Sequence, residues 1–269
     1  MPARYPERIV CLTEETTETL YLLGEERRIV GISGYTVRPA RARREKPRVS
    51  AFLSAQQDKI LALEPDLVLG FSDLQADIAR DLAKAGMNVL LFNQRSVDEI
   101  LSMVLMLSSM VGAADRGAAL VHELESGLAA IRSAAACLPR RPRVYFEEWD
   151  EPQISAIRWV SELVAIAGGD DVFAELSRSQ AASGRIVQPQ AVLERAPDII
   201  IASWCGKKFR PERLAARPGW DAVPAVRERE LHEVKSPEIL QPGPAALTDG
   251  VRRLHEIISQ WAEKRADAR

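Results

Sequence analysis

The sequence predicts an α/β protein of two similar Rossmann-like lobes, each with a parallel sheet, joined by a long rigid helix and enclosing a ligand cleft between them. Three observations carry this. First, a phrase recurs half a chain apart: Lys59-Ile60-Leu61-Ala62-Leu63-Glu64-Pro65-Asp66-Leu67-Val68-Leu69 returns as Ala191-Val192-Leu193-Glu194-Arg195-Ala196-Pro197-Asp198-Ile199-Ile200-Ile201. A second pair, Arg8-Ile9-Val10-Cys11-Leu12 and Arg143-Val144-Tyr145-Phe146-Glu147, keeps nearly the same offset. Second, apolar β runs alternate with helical patterns, as in parallel strand–helix–strand units. Third, a single helical stretch over 114–138 separates the halves. The implied organisation is a first lobe over 1–112, a linking helix over 113–139 and a second lobe over 140–269.

Taken in order, β segments fall at 8–12, 28–32, 66–70 and 88–92, with helices over 15–23, 56–63, 73–85 and 96–112. Runs such as Leu67-Val68-Leu69 are apolar without alternation, as expected of strands covered on both faces. In each recurring phrase the proline restricts the residue before it, so the helix ends there and the chain turns before the β run. In the linking stretch Leu120, Leu124, Leu128, Ile131 and Ala135 recur at helical spacing, and Pro139 and Pro142 end it. The second half continues with β at 143–147, helices over 157–167 and 189–196, β at 198–202 and 229–234, and a closing helix near 245–265.

The chain has 269 residues, enough for two cores, and its net charge of −2 carries no nucleic-acid signal. No apolar run approaches the roughly 20 residues that span a bilayer. Cys11, Cys137 and Cys205 are odd in number and far apart, which fits a reducing compartment. Met1-Pro2-Ala3-Arg4-Tyr5-Pro6-Glu7 runs into the first strand without the pattern of a leader. The expectation is therefore a cytoplasmic protein, or a periplasmic one if a leader has been removed.

The order Arg8–Leu12, Thr17-Glu18, Leu22-Leu23-Gly24, Arg28–Ile32, Pro65–Leu69, Gly168-Gly169-Asp170-Asp171-Val172-Phe173 and Gln241-Pro242-Gly243-Pro244 resembles the helical-backbone (class III) periplasmic substrate-binding proteins. The nearest branch is the cobalamin-binding proteins of ABC importers, with siderophore and haem binders as cousins. The resemblance covers residues 8–262 and implies a small-molecule metal chelate as ligand, most directly a corrinoid such as cobalamin. It implies no catalytic residue, resident metal or catalytic cofactor. A ferric siderophore or haem is the alternative ligand, and a corrinoid- or tetrapyrrole-processing enzyme on the same fold is the alternative class.

By that resemblance, loops after the strands line the ligand site. The candidates are Tyr35, Phe52 and Phe71 in the first lobe, and Trp149 and Trp204 in the second. Aromatic faces suit a large flat macrocycle because they supply contact area with few rotors to freeze. For each, a buried core aromatic is the competing reading. Replacing both tryptophans by alanine is expected to weaken binding while leaving thermal stability nearly intact. Glu148 and Asp150 beside Trp149, and Lys235 and Glu238 beyond the last strand, are candidates for reading polar ligand side chains. Carboxylates accept hydrogen bonds from carboxamide N–H groups, although a solvated acidic loop reads equally simply.

Glu14, Glu15 and Glu18 are explained by capping and the helix dipole alone. Thr13-Glu14-Glu15 departs from the proline or serine that the family usually places there. The basic run Arg38, Arg41, Arg43, Arg44, Lys46 and Arg48 reads as a solvated loop or as an anionic contact for a haem-type ligand. The family usually carries a docking glutamate for the permease on each lobe. Near Gln75-Ala76-Asp77 there is only Asp77, and in the 207–220 region Glu212 lies among Lys207, Lys208, Arg210 and Arg213, so permease docking is not evident. Walker, G-x-G-x-x-G, H-E-x-x-H and G-x-S-x-G motifs are absent. An enzyme would need a titratable pair such as Glu148 with His232; Cys205 and His232 are the two side chains suited to touching a chelated metal.

Overall fold

A computed structural model describes residues 5–266. The chain divides into two compact units: one runs through Gln94 and resumes over Asp98–Leu124, and the other comprises Arg95–Val97 and the residues from Glu125 on.

The first unit contains β1 (Ile9–Cys11), α1 (Glu14–Leu22), β2 (Ile29–Ser33), α2 (Ala42–Glu45), β3 (Arg48–Ala51), β4 (Ser54–Ala55), α3 (Gln57–Ala62), β5 (Leu67–Phe71), α4 (Ala76–Lys84), β6 (Val89–Phe92) and α5 (Val97–Met110). Its sheet has the order β4-β3-β2-β1-β5-β6, all parallel except the two-residue β4. Strand order reverses between β1 and β5, so the switch point lies at the carboxyl end of β1, where α1 begins. Val10, Leu12, Val49, Ile60, Val68 and Leu82 form a buried cluster against the sheet. The β3–β4 hairpin is not marked in the sequence, because its strands are short and β3 opens on exposed Arg48.

A long helix, α6 (Ala114–Ala136), follows; its 23 residues span about 35 Å. The division between the units falls inside it, after Leu124. No helix among the described residues is long and apolar enough to cross a membrane.

The second unit contains β7 (Arg143–Asp150), β8 (Gln153–Ser155), α7 (Arg158–Ala167), β9 (Asp170–Asp171), α8 (Pro189–Arg195), β10 (Ile199–Ala202), α9 (Pro211–Ala215), α10 (Pro224–Arg227), β11 (Leu231–Glu233), α11 (Ser236–Ile239) and α12 (Val251–Ala266), the last entered through a π turn over Ala246–Gly250. Its sheet order is β11-β10-β7-β8, with β9 pairing parallel to the start of β7. Tyr145 anchors the core, meeting Phe173 and Trp220 edge to face at 5.4 and 6.4 Å.

The recurring Pro-Asp phrase does the same job in both units. Glu64 and Ala196, each just before the proline, adopt left-handed backbone with φ of 46° and 39°. The aspartate then clasps the start of the first strand of its unit. Asp66 accepts from the Glu7 and Arg8 amides at 2.7 and 3.0 Å, and Asp198 accepts from the Arg143 amide at 2.8 Å. Each aspartate's own amide donates back, Asp66 to the Arg8 carbonyl and Asp198 to that of Arg143. The repeat thus encodes strand register at the amino edge and leaves the carboxyl edge free for variable loops.

Candidate functional site

In the first unit the loops leaving β2, β3 and β5 carry exposed apolar side chains. Tyr35 is 57% exposed, Leu53 in the β3–β4 turn 68%, and Leu74 after β5 58%. All three stand on loops at the carboxyl edge of this unit's sheet. Phe52 is half-buried in the same turn, while Phe71, the last residue of β5, is buried against the fold. Phe71 is therefore a core aromatic with only its backbone at the edge. Gln75 organises the edge: its Oε1 accepts from the Phe71 amide (2.9 Å) and its Nε2 donates to the Phe52 carbonyl (2.9 Å). Gly70 allows this approach, since a Cβ there would lie 2.6 Å from Gln75 Oε1. Ser72 stands between them with φ of 64°, its hydroxyl accepting from the Leu74 amide.

In the second unit a cleft of about 410 Å³ opens at the carboxyl ends of β7 and β10, with Asp150, Gln153, Ile186, Trp204 and Arg217 in its lining. Beneath it lies a buried charge network. The Glu147 carboxylate receives both terminal nitrogens of Arg217 (2.6 and 2.9 Å), the Trp204 indole N–H (3.0 Å) and the Tyr145 hydroxyl (3.1 Å). Burial raises the Glu147 pKa above its ordinary range, and Arg217 and the other donors act against that shift. Trp204 is 5% exposed and meets Phe209 edge to face at 5.2 Å. It lines the cleft and otherwise belongs to the core, so its replacement is expected to cost stability, contrary to the expectation that stability would stay nearly intact.

Trp149 is half-buried beyond that network, its indole N–H donating to the Glu151 carbonyl and the Lys207 ammonium lying 3.9 Å from its ring centroid. The neighbouring carboxylates are not free acceptors. Lys207 pairs with Asp150 at 2.6 Å, and buried Arg185 grips Glu148 through both terminal nitrogens at 2.5 and 3.2 Å. Lys235 pairs with Glu233, and Glu238 is half-buried on the short α11. The Glu148–His232 pair is not formed, because His232 pairs with Glu230 at 2.9 Å. Cys205 is exposed beside Trp204, and none of the three cysteines is in a disulfide. Among the described residues no group of His, Cys, Asp and Glu is arranged to hold a metal ion.

Part of the basic loop serves the fold, while Arg43, Arg44 and Arg48 are exposed. Arg41 pairs with Glu26 and lies over Tyr21, whose hydroxyl donates to Glu45, so this part of the loop packs at the far end of α1. Asp77 is exposed and paired with Arg80, and Glu212 is exposed in the first turn of α9. Leu53, Leu74, Gln75, Arg185 and Arg217 were missed by sequence reasoning. Gln75 and the arginines meet partners 23 to 70 positions away. Only Leu74 left a signal, as an apolar residue in the otherwise polar turn Ser72-Asp73-Leu74-Gln75.

A model of the periplasmic binding protein family matches residues 9–238. An uncharacterized ABC transporter substrate-binding lipoprotein of Bacillus subtilis, YvrC, is 24% identical over 262 residues, 94% of this chain and 80% of its own length. The vitamin B12-binding protein of Vibrio cholerae is 28% identical over 207 residues, 73% of this chain and 70% of its own. Among solved structures, the periplasmic heme-binding protein RhuT from Roseiflexus sp. RS-1 superposes over 94% of this chain and 99% of its own, with a TM-score of 0.80 at 24% identity, a likeness of fold. These relatives overturn the cytoplasmic expectation: they are lipoprotein and periplasmic components. The expectation failed because it read compartment from the residues ahead of the first strand and from the cysteine count, and neither is a property of the fold.

Proposed function

Because the chain belongs to the periplasmic binding protein family, we propose that it is a non-catalytic receptor that works outside the cytoplasmic membrane and holds a corrinoid of the cobalamin type for an ABC permease. The family supplies the coarse role, capture of a small solute for an importer. The observation that carries the finer reading is the exposed apolar edge of Tyr35, Leu53 and Leu74. Such a surface suits a broad, largely apolar ring, since burying it removes apolar area from water without stranding polar groups. The vitamin B12-binding relative gives the same direction. Trp149, Phe52 and the Trp204 edge are the further aromatic contacts of this reading, and Lys235 and Glu238 its outlying polar ones.

A haem or ferric siderophore is the second reading, favoured by exposed Tyr35, whose phenol makes no hydrogen bond among the described residues and is a competent iron ligand. Calorimetric titration with cyanocobalamin, cobinamide and haem separates the two. Submicromolar corrinoid binding with weak haem binding is the expected result. Tight haem binding with a shifted Soret band that is lost in Tyr35→Phe would replace the corrinoid reading.

A further inference from the structure

The cleft at the carboxyl ends of β7 and β10 is lined by polar groups that the rest of the chain does not use. Two of its charges are already matched: Arg217 by Glu147 at 2.6 and 2.9 Å, and Asp150 by Lys207 at 2.6 Å. Two are not. Arg213, exposed on α9, and Glu151, exposed in the β7–β8 turn, line the same cleft and form no ion pair among the described residues. The unmatched charge of the lining is therefore one cation and one anion.

An independent observation is Gln153, the first residue of β8. It is 8% exposed and lines the cleft, yet its Oε1 is buried without a hydrogen-bond partner among the described residues. Its backbone is held on both sides: Gln153 pairs with Asp150 across the hairpin, and its carbonyl accepts from the Val187 amide at 2.9 Å. The side chain thus projects from a fixed base. A hydroxyl turns its one proton either way, whereas a primary amide carries its acceptor and its donors on separate atoms of one plane. A buried amide oxygen that the chain leaves unsatisfied is a place for a donor from outside.

A cation, an anion and an amide in one cleft do not favour a carboxylate or an ammonium group, since either meets like charge as well as opposite. They match a neutral group that donates and accepts side by side. A primary carboxamide is such a group: its N–H pairs with an amide or carboxylate oxygen, and its carbonyl with a guanidinium or amide N–H. Pro152, Ile186 and Pro189 supply apolar wall for the methylenes of the arm that carries it.

We propose that this cleft is a carboxamide subsite, with Gln153 as its specificity-determining residue and Arg213 as a second donor to the same group. The inference rests on the receptor reading above and adds which part of the ligand the second unit reads: one peripheral carboxamide arm of a corrinoid.

The test uses cyanocobalamin and its monocarboxylic acids, in each of which one peripheral carboxamide has been hydrolysed, titrated calorimetrically at pH 7. One acid isomer is expected to bind wild type at least about tenfold more weakly than cyanocobalamin, with the other isomers within about threefold. Gln153→Met keeps the length of the side chain and removes its amide. It is expected to weaken cyanocobalamin binding about tenfold and to shrink that isomer's deficit to about threefold or less. Arg213→Ala, a change at an exposed position, is expected to widen the same isomer's deficit, because the carboxylate loses its one free cation. Equal binding of all isomers by wild type overturns the subsite, as does a folded Gln153→Met that keeps wild-type affinity or the wild-type isomer pattern. Were Gln153→Met not to fold, an unchanged isomer pattern in Arg213→Ala overturns the assignment to this cleft. Each of these results leaves the corrinoid reading standing. Wild type that binds no cyanocobalamin overturns the subsite and the corrinoid reading together.

Discussion

Trp204 and Trp149 flank the same cleft-side network but carry different loads. Trp204 joins the Glu147–Arg217 network through its indole N–H and packs against Phe209. Trp204→Ala is expected to cost about 3–5 kcal/mol of stability, because it opens a core cavity and removes a donor from a buried carboxylate. Trp149→Ala is expected to leave the thermal midpoint within about 2 °C, since the change is confined to a half-buried side chain. It should weaken corrinoid binding by about tenfold. Thermal melts and calorimetry on the two single variants distinguish these outcomes. Equal melting of both would assign Trp149 to the core. Glu15 gives a pH signature at the same scale. Its carboxyl rises from 4.5 to about 7 on folding, so the folded state holds its proton more tightly. The stability associated with that proton is complete below about pH 4.5, and is lost as pH climbs through about 7. Glu15→Gln has no proton to lose. The variant's melting point should therefore gain on wild type between about pH 5 and pH 8, by a few degrees. Parallel curves would show that Glu15 ionises without penalty.

At the scale of elements, the Pro-Asp turn sets where each sheet starts. Asp66 satisfies two amides at the head of β1, and Asp198 satisfies one at the head of β7. Both sites are open enough to water for each bond to be worth only about 1 kcal/mol net. Asp66→Ala is therefore expected to lower stability more than Asp198→Ala, and neither should change ligand affinity, since both lie at the amino edge. Urea unfolding with a ligand titration checks this. A binding defect in either variant would mean that strand register reaches the carboxyl edge. That edge has its own tie in Gln75, which binds the Phe71 backbone to the Phe52 turn and so fixes where the exposed apolar side chains stand.

On the scale of the molecule, the receptor reading makes ligand binding a stability term. A ligand bound only by the folded protein adds RT ln(1 + [L]/Kd), about 2.7 kcal/mol at a hundredfold excess over Kd. Cyanocobalamin at that excess is expected to raise the thermal midpoint by about 5 °C if the 269-residue chain melts as one unit. Calorimetric scanning shows whether one or both transitions move. No movement in either would remove cyanocobalamin as the ligand.

The sequence by itself determined the α/β class, the doubled lobe plan, the long helix and the starts of the longer parallel strands, but not β3, β4, β8 or β9. Those features are local: apolar runs, helical spacing and a Pro-Asp turn act over a few residues, and each stays readable wherever the chain goes. It also placed Tyr35 beyond the end of β2, because a residue after a strand is at the carboxyl edge by topology alone, whereas Trp149, expected after a strand ending at 147, lies inside β7, which runs on to Asp150. Only the tertiary structure decided which polar groups are spoken for. Glu148 looked free until Arg185, 37 positions on, took it, and Glu147 met Arg217 across 70 positions. Glu14 and Glu15, in sequence an ordinary capped helix start, became a buried acid cluster only once the loop through Thr36 and Val37 closed beside them. Burial and pairing are properties of what the rest of the chain brings to a residue. Charge state is therefore settled at that level.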